Sequence, residues 1–245
     1  MRRLLCITAH PDDEAGGFGG SLLKYRSEGV ETFVVCLTPG QAATHRGGAR
    51  SDAELAAMRR QEFARSCEIL QISQGEVLDF ADAALDRASF YQVVCELALR
   101  IRRIRPQVIL TLGTEGAITA HPDHSMAALF ATAAFHWAGR SNRYPEQLGD
   151  KMTPHRANKL YYSTANFVLP ERQPVSLAPA TAHIEVAPWF EQKIAAFKAH
   201  TSQKPLFDLF ETNVRKRGTV ELFHLAACSE PGEIRRETDL FEGIE

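Results

Sequence analysis

The stretch "RLLCITAHPDDEAGGFGGSLLKYRSEGVETFVVCLT" (residues 3–38) contains an apolar run, a polar turn, a helical pattern and a second apolar run. We predict strands at 3–8 and 31–38, and between them a helix at 19–29 that ends at Gly29. A strand followed by a helix and another strand is the repeating unit of parallel sheets, because parallel neighbours need a long crossover connection. This unit predicts an α/β fold.

The same alternation continues along the chain. Helices are predicted at 52–71, 88–104, 122–139 and 188–199, and strands at 76–80, 106–113, 159–164 and 181–186. Four strand-then-helix units with right-handed crossovers predict a Rossmann-like, doubly wound, mainly parallel sheet in the order 3-2-1-4-5, with helices on both faces. Because no linker, repeat or low-complexity segment divides the chain, we expect a single domain over residues 1–245.

Composition narrows the class of protein. The chain has 245 residues, 44% of them hydrophobic and 24% charged, with a net charge of −2, so neither nucleic acid nor an anionic membrane is an expected partner. No apolar run approaches the roughly 18 residues of a spanning helix, and the first apolar run is too short for a signal peptide. The five cysteines are far apart and without a CxxC pair, so we predict buried, reduced thiols in a cytoplasmic protein.

Two related motifs follow predicted strands 1 and 4. They are "AHPDDE" (9–14) and "AHPDHS" (120–125), and each places ligand-type residues three apart: His10 with Asp13, and His121 with His124. Strands 1 and 4 are neighbours where the winding of the sheet reverses, so the motifs are expected to face each other there. Imidazole and carboxylate groups that leave a coordination position open are typical of a catalytic zinc site. A dication would also balance the three consecutive carboxylates of residues 12–14.

These residues also allow other interpretations. A His-Pro-Asp turn alone is usually a helix cap, which would explain Asp12 and Asp123 without catalysis. The glycines of "GGFGG" (16–20) do not fit the dinucleotide fingerprint, because Leu22 stands where its third glycine belongs. By default, six further histidines without ligand spacing are surface or core residues: His45, His136, His155, His183, His200 and His224.

The two motifs, with "ELAAMRRQEF" (54–63) and "KIAAFKAHTSQ" (193–203), resemble the LmbE-like (PIG-L) family of zinc-dependent N-acetylglucosaminyl deacetylases. The resemblance runs in register from residue 4 to about residue 228 and is strongest to the bacterial bacillithiol-pathway type. It implies one Zn²⁺ per subunit, replaceable by other divalent transition metals. It also implies a homo-oligomer that acts on an N-acetylated amino sugar, with no nucleic acid or membrane partner.

The resemblance also implies a role for each matching residue. His10, Asp13 and His124 match the zinc ligands. Asp12 matches the general base, His121 the histidine that stabilises the tetrahedral intermediate, and Asp123 the acid paired with that histidine. Arg59 matches an arginine that holds the sugar, and Asp82 an aspartate that contacts sugar hydroxyls.

The chemistry of these residues agrees with amide hydrolysis. Zinc lowers the pKa of bound water to about 7, and a carboxylate that is not a ligand, Asp12, can accept the proton. We expect Asp123 to raise the pKa of His121 and so favour its charged form. Two alternatives are that His121 is a fourth metal ligand and that Arg59 is a surface charge paired with Glu62. Glu14 receives no role.

The sequence therefore predicts a zinc hydrolase that removes the N-acetyl group from a small molecule containing N-acetylglucosamine. The alternatives are a zinc hydrolase of a different amide or ester, and a non-enzymatic metal- or nucleotide-binding module. The loops at 40–51 and 139–158 are both expected to leave the carboxyl side of the sheet and to shape the pocket for the aglycone. The candidates are N-acetylglucosamine linked to malate, inositol or cysteine conjugates, or a specialised metabolite.

Overall fold

The computed structural model describes residues 1–169, 171, 174–230 and 232–244, and its seven strands form one sheet. The strands are β1 Arg3–Thr8, β2 Glu31–Cys36, β3 Gln74–Val77, β4 Val108–Thr111, β5 Lys159–Thr164, β6 Ala182–Glu185 and β7 Val220–Cys228. The helices are α1 Asp13–Ser27, α2 Asp52–Ile69, α3 Phe90–Ile104, α4 Pro122–Ala138, α5 Phe190–Lys198 and α6 Phe207–Arg217.

The sheet has the order β3-β2-β1-β4-β5-β7-β6, and the pairs from β3 to β5 are parallel. The predicted fold class and the order 3-2-1-4-5 are therefore confirmed. Helices α1 and α2 pack on α5, while α3 packs on α4. The apolar strands between these helices form the core, which is why they carry almost continuous hydrophobic runs.

Helix α1 begins at Asp13, six residues before the predicted start at residue 19. Glycine lowers helix propensity, so the four glycines of residues 16–20 hide this first part of the helix. Tertiary packing explains two of them, Gly19 and Gly20. A Cβ atom on Gly20 would lie 2.6 Å from the side chain of Val186, and one on Gly19 would lie 3.2 Å from Lys193. The early start places Asp13 and Glu14 in the first turn of α1.

The antiparallel edge of the sheet was not fully predicted. Strand β7 lies between β5 and β6 and runs antiparallel to both, and helix α6 precedes it. A strand that inserts between two earlier strands is set by long-range pairing, which local periodicity does not report. None of the helices in the described ranges combines the length and apolarity that a bilayer crossing requires.

The cysteines differ in exposure. Cys6 and Cys36 lie in the core strands, as predicted, and all five thiols are free. Cys95 is half-buried and Cys228 is exposed, so the prediction that all five are buried is wrong. Cys228 is the last residue of β7, where the strand leaves the sheet.

Candidate active site

The two motifs meet at the carboxyl edge of the sheet. Strands β1 and β4 are paired in parallel with Ile7 opposite Thr111, so the residues that follow both strands emerge side by side. As a result, Nδ1 of His10 lies 3.2 Å from Nε2 of His124, although the two residues are 114 positions apart. Both rings are almost completely buried.

The first motif orients Asp13 through its own backbone. Asp13 Oδ2 accepts the N–H groups of His10 at 2.8 Å and of Ala9 at 3.2 Å. The second oxygen, Oδ1, lies 3.2 Å from Nε2 of His124. Burial alone would raise the pKa of Asp13, but the histidines His124 and His10 hold it below its ordinary value. The carboxylate is thus ionised and turned toward both rings.

In the second motif, His121 caps helix α4. Its Nδ1 accepts the backbone N–H of Asp123 at 3.1 Å, and Pro122 occupies the first helical position. A neutral ring that accepts at Nδ1 carries its proton on Nε2. Burial, then His10 and His124, lower the pKa of His121, so the expectation of a raised pKa is wrong. The carboxylate of Asp123, which was expected to pair with His121, instead faces His10.

The outer nitrogen of His10 contacts two carboxylates. Its Nε2 lies 3.0 Å from Oδ1 of Asp82 and 3.3 Å from Oδ2 of Asp123. Asp123 is held in turn by the N–H groups of Ala83 and Leu85, at 2.7 and 3.1 Å. Burial lowers the pKa of His10, but the hydrogen bonds to Asp123 and Asp82 outweigh it and raise the pKa to about 10. Because ionised carboxylates only accept hydrogen bonds, Nε2 keeps its proton, and Nδ1 is the nitrogen at which a bound cation would take the place of a proton.

The distances among His10, Asp13 and His124 suit one metal ion. Tetrahedral zinc with bonds of 2.0–2.2 Å places neighbouring ligand atoms about 3.3 Å apart. Here Nε2 of His124 lies 3.2 Å from both Nδ1 of His10 and Oδ1 of Asp13, and Nδ1 of His10 lies 3.7 Å from Oδ2 of Asp13. The donors therefore fit a small divalent cation. Ring nitrogens of His10, His121 and His124 also lie within 4.8 Å of one another, so the alternative of His121 as a fourth ligand stays open.

Asp12 lies beside these three residues but faces a guanidinium. Its Oδ2 accepts from Nη2 of Arg59 at 2.7 Å, and Arg59 also donates to the carbonyl groups of Gly40 and Pro11. Arg59 is only 3% exposed, so the alternative of a surface charge paired with Glu62 is wrong. Burial raises the pKa of Asp12 and Arg59 lowers it, with a net value of about 6.

Asp82 connects the site to the loop at 40–51. Its Oδ2 accepts the N–H of Ala42 at 2.8 Å, while its Oδ1 contacts His10. Burial raises the pKa of Asp82, but His10 more than offsets this and lowers it. The loop at 40–51 therefore borders the site, as predicted.

The loop at 139–158 does not border the site, and that prediction is wrong. Helix α4 starts at the carboxyl edge and runs back, so the loop after it lies at the amino edge of the sheet. His155 contacts the carbonyl of Pro106 at 2.7 Å, and the N–H of Asn158 donates to Gln107, both just before β4.

Comparison with known proteins shows the family to which the chain belongs. The family model PIG-L, described as GlcNAc-PI de-N-acetylase, matches residues 5–135. The chain belongs to the PIG-L family. It is similar to a diacetylchitobiose deacetylase of Thermococcus kodakarensis, with 30% identity over 229 residues, 91% of this chain and 78% of the relative. The resemblance seen in the sequence is thereby confirmed.

Two further similarities extend over nearly the whole chain. A 1D-myo-inositol 2-acetamido-2-deoxy-alpha-D-glucopyranoside deacetylase of Catenulispora acidiphila is 28% identical over 299 residues, 99% of this chain and 97% of the relative. The solved structure of an N,N'-diacetylchitobiose deacetylase from Pyrococcus horikoshii superimposes with a TM-score of 0.77 at 22% identity. That match covers 91% of this chain and 83% of the other, and it confirms the fold.

One residue near the candidate site lies beyond the part matched by the family model. His200 is completely buried, and its Nε2 lies 2.7 Å from Oε1 of Glu14. The sequence gives His200 no ligand spacing and so predicts only a core or surface residue, and it indicates no role for Glu14. The available signal was the segment 193–203, which belongs to the resemblance but carries no metal-binding pattern.

Proposed function

We propose that this chain is an N-deacetylase that hydrolyses the acetamide group of a small molecule containing N-acetylglucosamine, with one Zn²⁺ per subunit. Membership of the PIG-L family supports a hydrolase acting on an amide bond. The observation that carries the proposal is the separation of two carboxylates: Asp13 faces both histidines, whereas Asp12 faces Arg59. A site that only bound a metal ion would not need the second carboxylate, that of Asp12.

We propose that His10 Nδ1, Asp13 and His124 Nε2 hold the ion. A divalent ion supplies Lewis acidity there, because it polarises the amide carbonyl and lowers the pKa of water. Ligand sets of nitrogen and oxygen select weakly among the later transition metals, so iron or cobalt is expected to substitute in vitro.

Asp12 is the proposed proton carrier. Its Oδ2 is held by Arg59, so the carboxylate has a fixed direction, and its pKa of about 6 keeps it mostly ionised at neutral pH. It accepts the proton of the attacking water and returns it to the leaving nitrogen, which departs as an amine while the acetyl group leaves as acetate. His121, with its proton on Nε2, is the proposed hydrogen-bond donor to the developing oxyanion.

The proposed sugar contacts remain predictions. Arg59 bonds to Asp12, Pro11 and Gly40, and Asp82 bonds to His10 and Ala42, so each has a contact within the protein. We propose that the loop at 40–51, which Asp82 holds against the site, contacts the sugar or its aglycone. The relatives' names supply two N-acetylglucosamine compounds, diacetylchitobiose and an inositol glucoside, as starting substrates.

The proposed setting is the cytoplasm and the proposed partner is a small molecule, while the homo-oligomer that the resemblance implies stays a prediction. Five free cysteines agree with a reducing compartment, and a net charge of −2 offers no attraction to nucleic acid.

The deciding experiment is a screen of the zinc-loaded protein against N-acetylglucosaminides linked to malate, inositol, cysteine conjugates or a second N-acetylglucosamine. We expect acetate and a primary amine to appear in equal amounts with at least one of them. An acetate ester of the same sugar serves as the comparison. Hydrolysis of the ester without hydrolysis of any amide would overturn the proposal in favour of the esterase alternative.

A further inference from the structure

Asp12 has a backbone conformation that its residue type disfavours. Its φ is 114°, in the region where glycine is common and a residue with a side chain is strained. Every polar group of Asp12 has a partner: its carboxylate accepts from Arg59, its carbonyl accepts the N–H of Gly16 at 2.8 Å, and its N–H donates to Oε2 of Glu14 at 2.9 Å. Such a conformation persists only where the surroundings impose it.

Glu14 is the most enclosed of these partners. It is 0% exposed and accepts three hydrogen bonds: from the N–H of Asp12, from Oγ of Ser66 at 2.6 Å, and from Nε2 of His200 at 2.7 Å. An ionised carboxylate is costly to bury unless it is paired. His200 supplies that partner and is itself 0% exposed. Within the described residues, its Nδ1 has no hydrogen-bond partner, so its one directed contact is with Glu14.

A second buried carboxylate nearby, Glu62, anchors the same segment of the chain to α2. Glu62 lies one turn before Ser66 on α2 and is 2% exposed. It accepts hydrogen bonds from Oγ1 of Thr201 and from both the N–H and Oγ of Ser202, all at 2.6–2.7 Å. Glu62 thus holds Thr201 and Ser202 against α2 through bonds that do not involve Asp12. What Glu14 adds is the bond to the backbone of Asp12.

We propose that Glu14 and His200 are positioning residues, whose buried pair holds the backbone of Asp12 so that its carboxylate stays aligned for proton transfer. This inference rests on the proposed function of Asp12 as the proton carrier. His200 orients the carboxylate of Glu14 through Oε1, and Oε2 of Glu14 accepts the N–H of Asp12 and fixes its backbone. Neither residue touches the substrate.

The isosteric change Glu14→Gln tests the first link. A glutamine offers one acceptor oxygen and one NH₂ group where three donors converge, so either Asp12 or the His200–Ser66 side loses its acceptor. A displacement of about 1 Å at a reacting group can cost on the order of 10²-fold in rate. We therefore expect kcat to fall by about 10²-fold, with KM and zinc content unchanged.

The matched control is Glu62→Gln, which removes an equally buried carboxylate with an equal number of donors. We expect it to lower the melting temperature but to keep the wild-type kcat. An equal loss of kcat in both variants would overturn the proposal, because it would trace the effect to general loosening of the segment at 200–203. Wild-type kcat in Glu14→Gln would overturn it as well.

A second pair of variants tests His200. His200→Gln keeps an N–H donor for Glu14, so it should retain most of the activity, whereas His200→Leu should lose as much kcat as Glu14→Gln. If His200→Leu is as active as His200→Gln, the proposed role of His200 is wrong. This pair also keeps the proposal testable should Glu14→Gln fail to fold.

Amide hydrogen exchange at Asp12 gives a measurement that does not depend on activity. Its N–H should be protected in the wild type and in Glu62→Gln, and should exchange faster in Glu14→Gln and His200→Leu. Unchanged protection in the last two would overturn the inference even if kcat fell. If the wild type released no amine from any substrate, the proposed function would fail, while the exchange result would still judge the positioning of Asp12.

Discussion

The tripeptide His-Pro-Asp occurs at residues 10–12 and again at 121–123, and the two copies start their helices differently. In the first, helix α1 begins at Asp13, after Asp12 has adopted a left-handed backbone. In the second, helix α4 begins at Pro122, directly after its cap His121. Relative to the histidine, the second helix starts two residues earlier.

This offset gives chemically equal side chains different environments. The carboxylate of Asp12 meets Arg59, while that of Asp123 meets His10. Nδ1 of His10 faces the other ligand-type residues, while Nδ1 of His121 accepts a backbone N–H. A repeated motif therefore does not imply a repeated role, because the position of the helix start decides where each side chain points.

The largest contrast is expected between the two histidines. His10→Ala should abolish metal binding and activity, because it removes a proposed ligand, whereas His121→Ala should keep stoichiometric zinc and lose only rate. Elemental analysis of the dialysed proteins measures this difference. Zinc loss in both variants would instead identify His121 as a fourth ligand.

The next contrast is between the aspartates. Asp12→Asn keeps size and shape but cannot accept a proton, so the rate should fall by about 10²–10⁴-fold while zinc is retained. Steady-state kinetics and zinc content of the same preparation check this. A wild-type rate would return Asp12 to the role of a helix cap.

Asp123→Asn should act on the metal instead. Partners of the outer nitrogen of a ligating histidine are typically worth about 10–100-fold in metal affinity. Asp82 still contacts His10, so we expect the lower part of that range, with activity restored by excess zinc. Competition with a chelator measures the affinity. Unchanged affinity together with a lower rate would support pairing of Asp123 with His121.

The pH dependence separates the same two aspartates, because burial raises the pKa of Asp12 to about 6 whereas His10 and backbone N–H groups overcome burial and lower that of Asp123. The general base must be ionised, so kcat/KM should fall below pH 6, by roughly tenfold per pH unit. The acidic limb should persist in Asp123→Asn and flatten in Asp12→Asn. If the acidic limb of the kcat/KM profile persisted in Asp12→Asn, the ionisation behind it would belong to another group.

The smallest effect is expected at the outer nitrogen of His124. Its Nδ1 lies 3.1 Å from Oγ1 of Thr119 and 3.3 Å from the carbonyl of Gly116. Because the carbonyl remains, Thr119→Val should lower zinc affinity by less than about tenfold, well below the effect of Asp123→Asn. The same chelator assay compares them. A larger loss than in Asp123→Asn would mean that His124, not His10, depends more on its outer contact.

The sequence predicted the parallel part of the fold because its signals are local. Apolar runs and helical periods marked β1 to β5, and the handedness of crossovers limited their order. The start of α1 was hidden by four glycines, two of which pack closely against Val186 and Lys193. Strand β7 was missed because its place between β5 and β6 is decided by pairing partners far apart in the chain.

For the site, spacing indicated the residues that converge on His10 and His124, since three-residue spacing at a helix start is a local property. It could not indicate the direction of the Asp123 carboxylate, which depends on the N–H groups of Ala83 and Leu85. Nor could it indicate His200, whose partner Glu14 is 186 positions away.

Because Glu14 and His200 are 186 positions apart, the ribosome makes Glu14 long before its partner. A ribosome releases both His-Pro-Asp motifs roughly 75 residues before His200, a delay on the order of 4–15 s at translation rates of about 5–20 residues per second. During that interval Glu14 lacks His200, its one basic partner, and the carboxylate of Glu221, which later accepts the N–H groups of Gly20 and Ser21 on α1, has not yet been made. The nascent chain therefore carries all of its proposed metal ligands before it can bury the helix that presents one of them. Activity in the growing polypeptide should appear only after β7 has left the exit tunnel.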